Sequence, residues 1–182
     1  MPKGARVVLL CRDFFGKVLK ISGEWCIIYT GGGYVRVYLD NCCYNRPYDD
    51  QNQFRVNIET QAILYILNMI RDGDVELVTS YILDYENSKN SVIEKRVQIA
   101  DFYKCYGSYF VPEERKGEID PLKLKIMSTG VKEKDSSHIA CAIYAKCDFF
   151  ISTDDRLLKY KDDRIKLVSP CEFIRLYKEE NI

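Results

Sequence analysis

The 28 residues KEKDSSHIACAIYAKCDFFISTDDRLLK, numbered 132–159, constrain this chain more than any other stretch. They read as a helix over 135–146, a short apolar strand over 149–152, and an acidic turn that opens another helix. In an α/β sheet the helix before a strand runs antiparallel to it, so its N-terminus lies where the strand ends. Asp135 begins the helix and Asp154 follows the strand, which places both carboxylates on one edge of the sheet. Open α/β sheets bind their ligands at that edge.

The rest of the chain alternates strands and helices in the same sense. A strand over 35–39 (VRVYL) ends in Asp40, and Pro47 blocks an early helix in the polar connection that follows. Asp49 or Asp50 then caps a long helix reaching about Arg71, with Phe54, Ile58, Ala62, Tyr65 and Met69 as its apolar stripe. Ile63, Leu64, Ile66, Leu67 and Ile70 widen the stripe, and Gly73 closes the helix. A second strand covers 75–80, and Ser80 caps the helix that carries Glu86. The capping box Ser91-x-x-Glu94 announces a third helix that ends near Gly107. After the charged loop 112–118, Asp120-Pro121 opens a helix that Gly130 closes. A strand over 165–168 and a terminal helix capped by Ser169-Pro170 finish the chain. Such alternation predicts an α/β fold with three layers, α/β/α, around a central parallel sheet.

Residues 1–34 stand apart, with strand-like segments over 5–11, 17–21 and 24–30 and the triplet Gly31-Gly32-Gly33 at their end. Three readings stay open for them: an added β-hairpin, a poorly ordered extension, or a stretch preceding a true start near Val35. The domain proper is expected over 35–182.

Several chemistries are excluded at this stage. A net charge of zero gives no global basic field, so phosphate contacts must come from a local cluster. One histidine and no CxxC pair argue against a zinc ribbon or a multi-histidine zinc site. Neither GxxxxGK[ST] nor GxGxxG occurs, and the glycine triplet precedes a strand where a phosphate loop would open a helix. The first apolar run, Val7 to Cys11, is too short for a signal peptide. Eight cysteines without CxxC read as reduced thiols in a cytoplasmic protein with no membrane span.

Four separate segments thus deliver an acid to one rim: Asp40, Glu86, Asp135 and Asp154. Taken singly, each has an ordinary explanation as a cap, a turn residue or a solvated face. Together, carboxylates about 5 Å apart repel by roughly 3 kcal/mol per pair at an effective dielectric near 20. Such a cluster binds protons or a hard cation, and oxygen ligation favours Mg²⁺ or Mn²⁺. A divalent ion held in this way suits hydrolysis of phosphodiesters.

The segments VYLDN, TSYILDYEN, KDSSHIACAIYAKCDFFISTDDRLLK and VSPCEFI resemble the PIN domain, the fold of VapC-type toxin ribonucleases and related metal-dependent nucleases. The resemblance spans about 35–177. It implies Asp40, Glu86, Asp135 and Asp154 as the catalytic, metal-holding quartet, with Ser152 where the family often has threonine. It further implies an RNA substrate, Mg²⁺ or Mn²⁺, a neutralising antitoxin and a homodimer. Where the family commonly has a small hydroxyl residue after the first acid, this chain has Asn41 and Cys42. Asp155, His138 and Arg46 complete the set of candidates: Asp155 for a share in the metal, His138 for the metal, a phosphate or a structural hydrogen bond, Arg46 for the substrate backbone. Arg55, Lys132, Lys134 and Arg156 flank the acids as well. Two rival functions are a PIN-like module that binds RNA or protein without cutting, and a phosphoryl-transfer fold with an aspartyl nucleophile. The second wants an acidic pair after the first strand, which Asp40-Asn41-Cys42 does not supply.

Overall fold

A computed structural model describes residues 17–21, 24–28 and 35–180. The chain divides into two compact units, Met1–Gly33 and Tyr34–Ile182. In the first, β1 (Lys17–Ile21) pairs antiparallel with β2 (Glu24–Ile28), Lys17 opposite Ile28 and Ile21 opposite Glu24. The strand expected over 5–11 and the glycine triplet lie outside the described residues.

The second unit begins with β3 (Arg36–Leu39), α1 (Asn41–Asn45), a 3-10 turn (Arg46–Tyr48) and α2 (Phe54–Asp72). It continues through β4 (Glu76–Ser80), α3 (Tyr81–Ser88), α4 (Ile93–Tyr106) and β5 (Gly107–Val111). After a 3-10 turn (Glu113–Arg115) come α5 (Lys116–Met127), α6 (Glu133–Tyr144) and β6 (Phe149–Ile151). A last 3-10 turn (Leu157–Lys159), β7 (Lys166–Val168) and α7 (Pro170–Glu180) complete it.

The five strands β3–β7 form one parallel sheet in the order β5-β4-β3-β6-β7. Successive residues of a strand face opposite sides, yet Val37, Tyr38 and Leu39 are all fully buried, so helices cover both faces. Tyr38 stacks on its register partner Phe150 and meets His138 of α6 edge-on, which sets α6 on that face. On the other face Phe149 meets Phe173 of α7, and α7 packs along α2. The α/β/α sandwich expected from the sequence is present.

Local chemistry explains most element ends. Ser80 accepts a hydrogen bond from the Leu83 N–H, Ser169 caps α7 ahead of Pro170, and Gly73 takes φ +78° at the end of α2. Elsewhere the expectations are corrected. Helix α6 starts at Glu133, so Asp135 lies in its first turn and is not its cap. Neither Asp49 nor Asp50 caps α2: Asp49 receives Arg46, and Asp50 turns its own backbone by accepting from the Asn52 N–H. Ser91 lies one residue outside the cap of α4, which is Val92. Pro121 sits inside α5 after five helical residues, where its missing N–H removes one backbone bond. Pro47 does not prevent α1, which ends before it, and the helix expected after Asp154 is a single 3-10 turn.

Two larger differences concern β5 and α2. The sequence reading assigns no strand to Gly107–Val111, because the segment follows α4 with no turn residues and only Val111 is buried. Of the five stripe residues in α2, Ala62 and Met69 are buried, whereas Phe54, Ile58 and Tyr65 are 81%, 41% and 46% exposed. The core-facing side is instead Val56, Glu59, Ile63, Ile66 and Ile70, a face disguised by the charge of Glu59.

This face assignment predicts a contrast in equilibrium urea unfolding. Ile63→Ala should cost about 2–5 kcal/mol, the usual range for truncating a buried isoleucine. Phe54→Ala should stay within about 0.5 kcal/mol of the parent, as exposed substitutions do.

Candidate metal centre at the strand switch

From β3 the chain winds outward to β4 and β5, then crosses back to β6 and β7 on the other side of β3. The crevice between the C-terminal ends of β3 and β6 is therefore the topological switch point of the sheet. Asp40 leaves β3 there, and Ser152 to Asp154 leave β6. The Asp40 N–H still donates to the Ile151 carbonyl at 2.9 Å, so the two strand ends stay in register up to the first acid.

Ser152, fully buried, joins them further. Its hydroxyl donates to Asp40 Oδ2 at 2.7 Å and accepts from the Asp154 N–H at 3.1 Å. The Cys42 thiol donates to the same carboxylate oxygen at 3.1 Å, and its sulfur accepts from the Thr153 N–H at 3.3 Å. A thiol thus does here what a small hydroxyl would do. Neighbouring Asn41 keeps a buried Oδ1 with no hydrogen-bond partner, and its carbonyl accepts from Asn45.

Glu86 comes from α3, and its Oε2 lies 3.0 Å from His138 Nε2. The other ring nitrogen of His138 is 2.8 Å from the Tyr38 hydroxyl, which in turn is 2.6 Å from Ser80 Oγ. One consistent assignment has Ser80 donating to Tyr38, Tyr38 to Nδ1, and Nε2–H to Glu86. The Lys134 ammonium approaches Glu86 from outside at 3.8 Å. The His138 hydrogen bond, helped by Lys134, lowers the Glu86 pKa despite its partial burial.

Asp135 has no such partner. Burial raises its pKa, and the charges of Asp40 and Asp154 raise it further. Asp154 is lowered, because Arg156 donates to both its oxygens from side chain and backbone. Among the described residues, Asp155 and Arg46 have no hydrogen bond or ion pair to Asp40, Glu86 or Asp135. Asp155 is gripped by Arg55 through two bonds of 2.7 Å. Arg46 binds Asp49, the buried Glu59 and the Thr153 hydroxyl, and so fixes the loop from α2.

The donor set fits a divalent cation. Ligand atoms of Asp40, Glu86 and His138 lie within 4.8 Å of one another. Asp40 is only 8% exposed, and no cationic side chain is paired with it among the described residues. Asp135 and Asp154 border the same rim. The structural hydrogen bond was one of the roles expected for His138, and Cys42 stands where a small hydroxyl was expected, whereas no sequence signal marked Tyr38 as a support of the acids.

No protein-family model matches the chain, and no curated protein does. Among solved structures it is similar to VapBC2 from Rickettsia felis bound to a DNA fragment from the promoter, at 12% identity and a TM-score of 0.48, covering 74% of this chain and 98% of that one. FitAcB from Neisseria gonorrhoeae follows at 13% identity and 0.46, with 74% and 98% covered. FitAB bound to the IR36 DNA fragment gives 14% and 0.47, with 74% and 94% covered. Identities this low and TM-scores under 0.5 leave the site to be read from its own geometry.

That geometry predicts how stability depends on pH without metal. A carboxyl whose folded pKa is raised binds more protons folded than unfolded, so stability falls as pH rises from its unfolded value through the raised one. Asp135→Asn removes this loss. In EDTA, urea unfolding between about pH 4 and 7 should show the variant gaining on the parent as pH increases. A constant difference across that range would mean that burial and the charges of Asp40 and Asp154 do not raise the Asp135 pKa.

Proposed function

We propose that residues 35–182 form a PIN-like, metal-dependent endoribonuclease whose acidic quartet is Asp40, Glu86, Asp135 and Asp154. The observation that carries this reading is the near-buried, cation-free Asp40 at the switch point, grouped with Glu86 and His138 and bordered by Asp135. Mg²⁺ or Mn²⁺ would be held by Asp40 and Glu86 with Asp135 and Asp154 beside them, and would supply an activated water and charge neutralisation at the phosphate. The chain's own residues prepare that site. Ser152 and Cys42 aim Asp40 by hydrogen bonds to one oxygen, which leaves the other for the ion. His138, held by Tyr38, orients Glu86 as hydrogen-bond partners outside a metal site usually do for its ligands. The clamp of Arg46 and Arg55 on the loop at Thr153 and Asp155 keeps Asp154 facing the rim.

The proposal extends to the toxin of a toxin–antitoxin pair, cytoplasmic, with a homodimer as its assembly. Exposed apolar side chains on α3 and α4, namely Tyr85, Ile93 and Val97, offer surface for a protein partner. No helix among the described residues is long and apolar enough to cross a membrane. Expression of the chain alone should arrest growth, and a small protein encoded beside it should relieve the arrest. A chain beginning at Gly33 should unfold cooperatively and keep activity, since the second unit holds its own core.

Cleavage of varied RNAs in Mg²⁺, Mn²⁺ or EDTA tests the chemistry. Asp40→Asn, Asp135→Asn and Asp154→Asn should each lose more than the roughly 10–100-fold that removing an outer hydrogen-bond partner costs, with the fold intact by thermal melt. Asp155→Asn, which only loosens the Arg55 contact, should stay within about tenfold of the parent. Wild-type cleavage by Asp135→Asn together with a dead Asp155→Asn would show the quartet to be wrongly assigned. Binding of RNA without cleavage in either metal would instead support a non-catalytic module.

A further inference from the structure

A cavity of about 480 Å³ opens beside the rim, between the α5–α6 connection and the segment that follows β6. Asp135 and Asp154 form its acidic end, and Lys132, Arg156, Lys159 and Lys161 line the remainder with positive charge. The three lysines are exposed, and among the described residues none of them has a carboxylate within ion-pair distance. Lys161 donates only to the Leu158 carbonyl. The opposite flank of the same loop is different: Arg46 and Arg55 are consumed by Asp49, Glu59 and Asp155. Of the cationic side chains that flank this loop, the ones without an ion-pair partner among the described residues therefore lie on the cavity side.

Resting on the nuclease reading, we propose that this cavity seats the sugar–phosphate backbone of a single RNA strand next to the acidic rim. Lys132, Lys159 and Lys161 contact its phosphates. Arg156 does so when a cation takes over Asp154, since its guanidinium is otherwise engaged with that carboxylate alone. A concavity of this size accepts a short segment of one strand. Because the cations lie on one side of the acids, the strand enters from that side, and the phosphate nearest Arg156 is the one presented to the rim.

The test measures binding, apart from catalysis. A labelled uridine oligoribonucleotide of about twelve nucleotides is titrated in EDTA at several salt concentrations, and log affinity is plotted against log salt. Lys159→Ala/Lys161→Ala removes two phosphate contacts, so the slope should become shallower by about 1.4, at about 0.7 per contact on a single strand. Lys104→Ala/Lys125→Ala, equal in charge and outside the cavity, should leave the slope unchanged. Equal slopes for both variants, or no measurable binding by the parent chain, would overturn the proposal. So would tighter binding of an RNA duplex of the same length. Cleavage by the parent in Mn²⁺ is scored separately. If the parent cleaves while the cavity variant keeps the parental slope, the cavity assignment falls and the nuclease reading stands. If the slope changes as expected and nothing is cut in any metal, the strand site stands and the nuclease reading falls.

Discussion

The hydrogen bond from Ser152 to Asp40 is the contact on which the rest of the site depends. It links positions 112 residues apart in sequence and closes the gap between the ends of β3 and β6. Its direction is fixed by its neighbours. Ser152 Oγ accepts from the Asp154 N–H, so its single proton is available for Asp40. The same bond therefore sets the orientation of one carboxylate and the backbone position of another. Parallel pairing supplies the frame, since Leu39 and Ile151 are register partners and each strand stops within one residue of its polar group. A slip of one residue would turn Tyr38 and Leu39 to opposite faces and separate His138 from its hydroxyl partner.

Around that frame the charges divide into a closed side and an open side. On the closed side Glu59 is buried in α2 between Arg46 and Arg55, and both arginines reach on to the loop at Thr153 and Asp155. A buried acid between two guanidinium groups has its charge offset internally and holds its surroundings in one arrangement, whatever its net effect on stability. The open side has exposed lysines and a cavity. Screening weakens exposed charges over about 8 Å at physiological salt, so these lysines would act on an anion in contact with them and little beyond.

How much of this could be read beforehand follows the range of the interactions. The alternation of strands and helices, the caps at Ser80 and Ser169 and the stop at Gly73 rest on neighbours within a few residues, and the sequence displays them. The acids at strand ends were legible too, because a parallel sheet sends every strand's C-terminus to one edge. The burial face of α2 was not, since its apolar residues lie on nearly all sides and its core side contains Glu59, acceptable only with Arg46 and Arg55 in place. Strand β5 was hidden for a related reason. Gly107 follows α4 directly, and a Cβ there would come within 2.6 Å of the Tyr103 carbonyl, so glycine permits a junction that carries no turn signature. The roles of Cys42, Tyr38 and His138 depend on partners far along the chain.

The acids also differ in what balances them, and that difference orders their response to a cation. Glu86 has His138 and Lys134, and Asp154 has Arg156, so each is already stabilised in its charged form. A metal approaching them must compete with a hydrogen bond or an ion pair. Among the described residues Asp135 has no hydrogen bond or ion pair of this kind, and burial first, then Asp40 and Asp154, make it less acidic. On the proposed reading, an ion held by Asp40 and Glu86 would also relieve the repulsion that Asp135 feels, with no ion pair of Asp135 to break among the described residues. Asp154 would join such a site at the cost of its contact with Arg156. Because that contact is exposed on the arginine side, its loss would be small, and the freed guanidinium would be left at the mouth of the cavity. On the proposed reading, charge taken up at the rim and charge released toward the cavity would be two sides of one exchange.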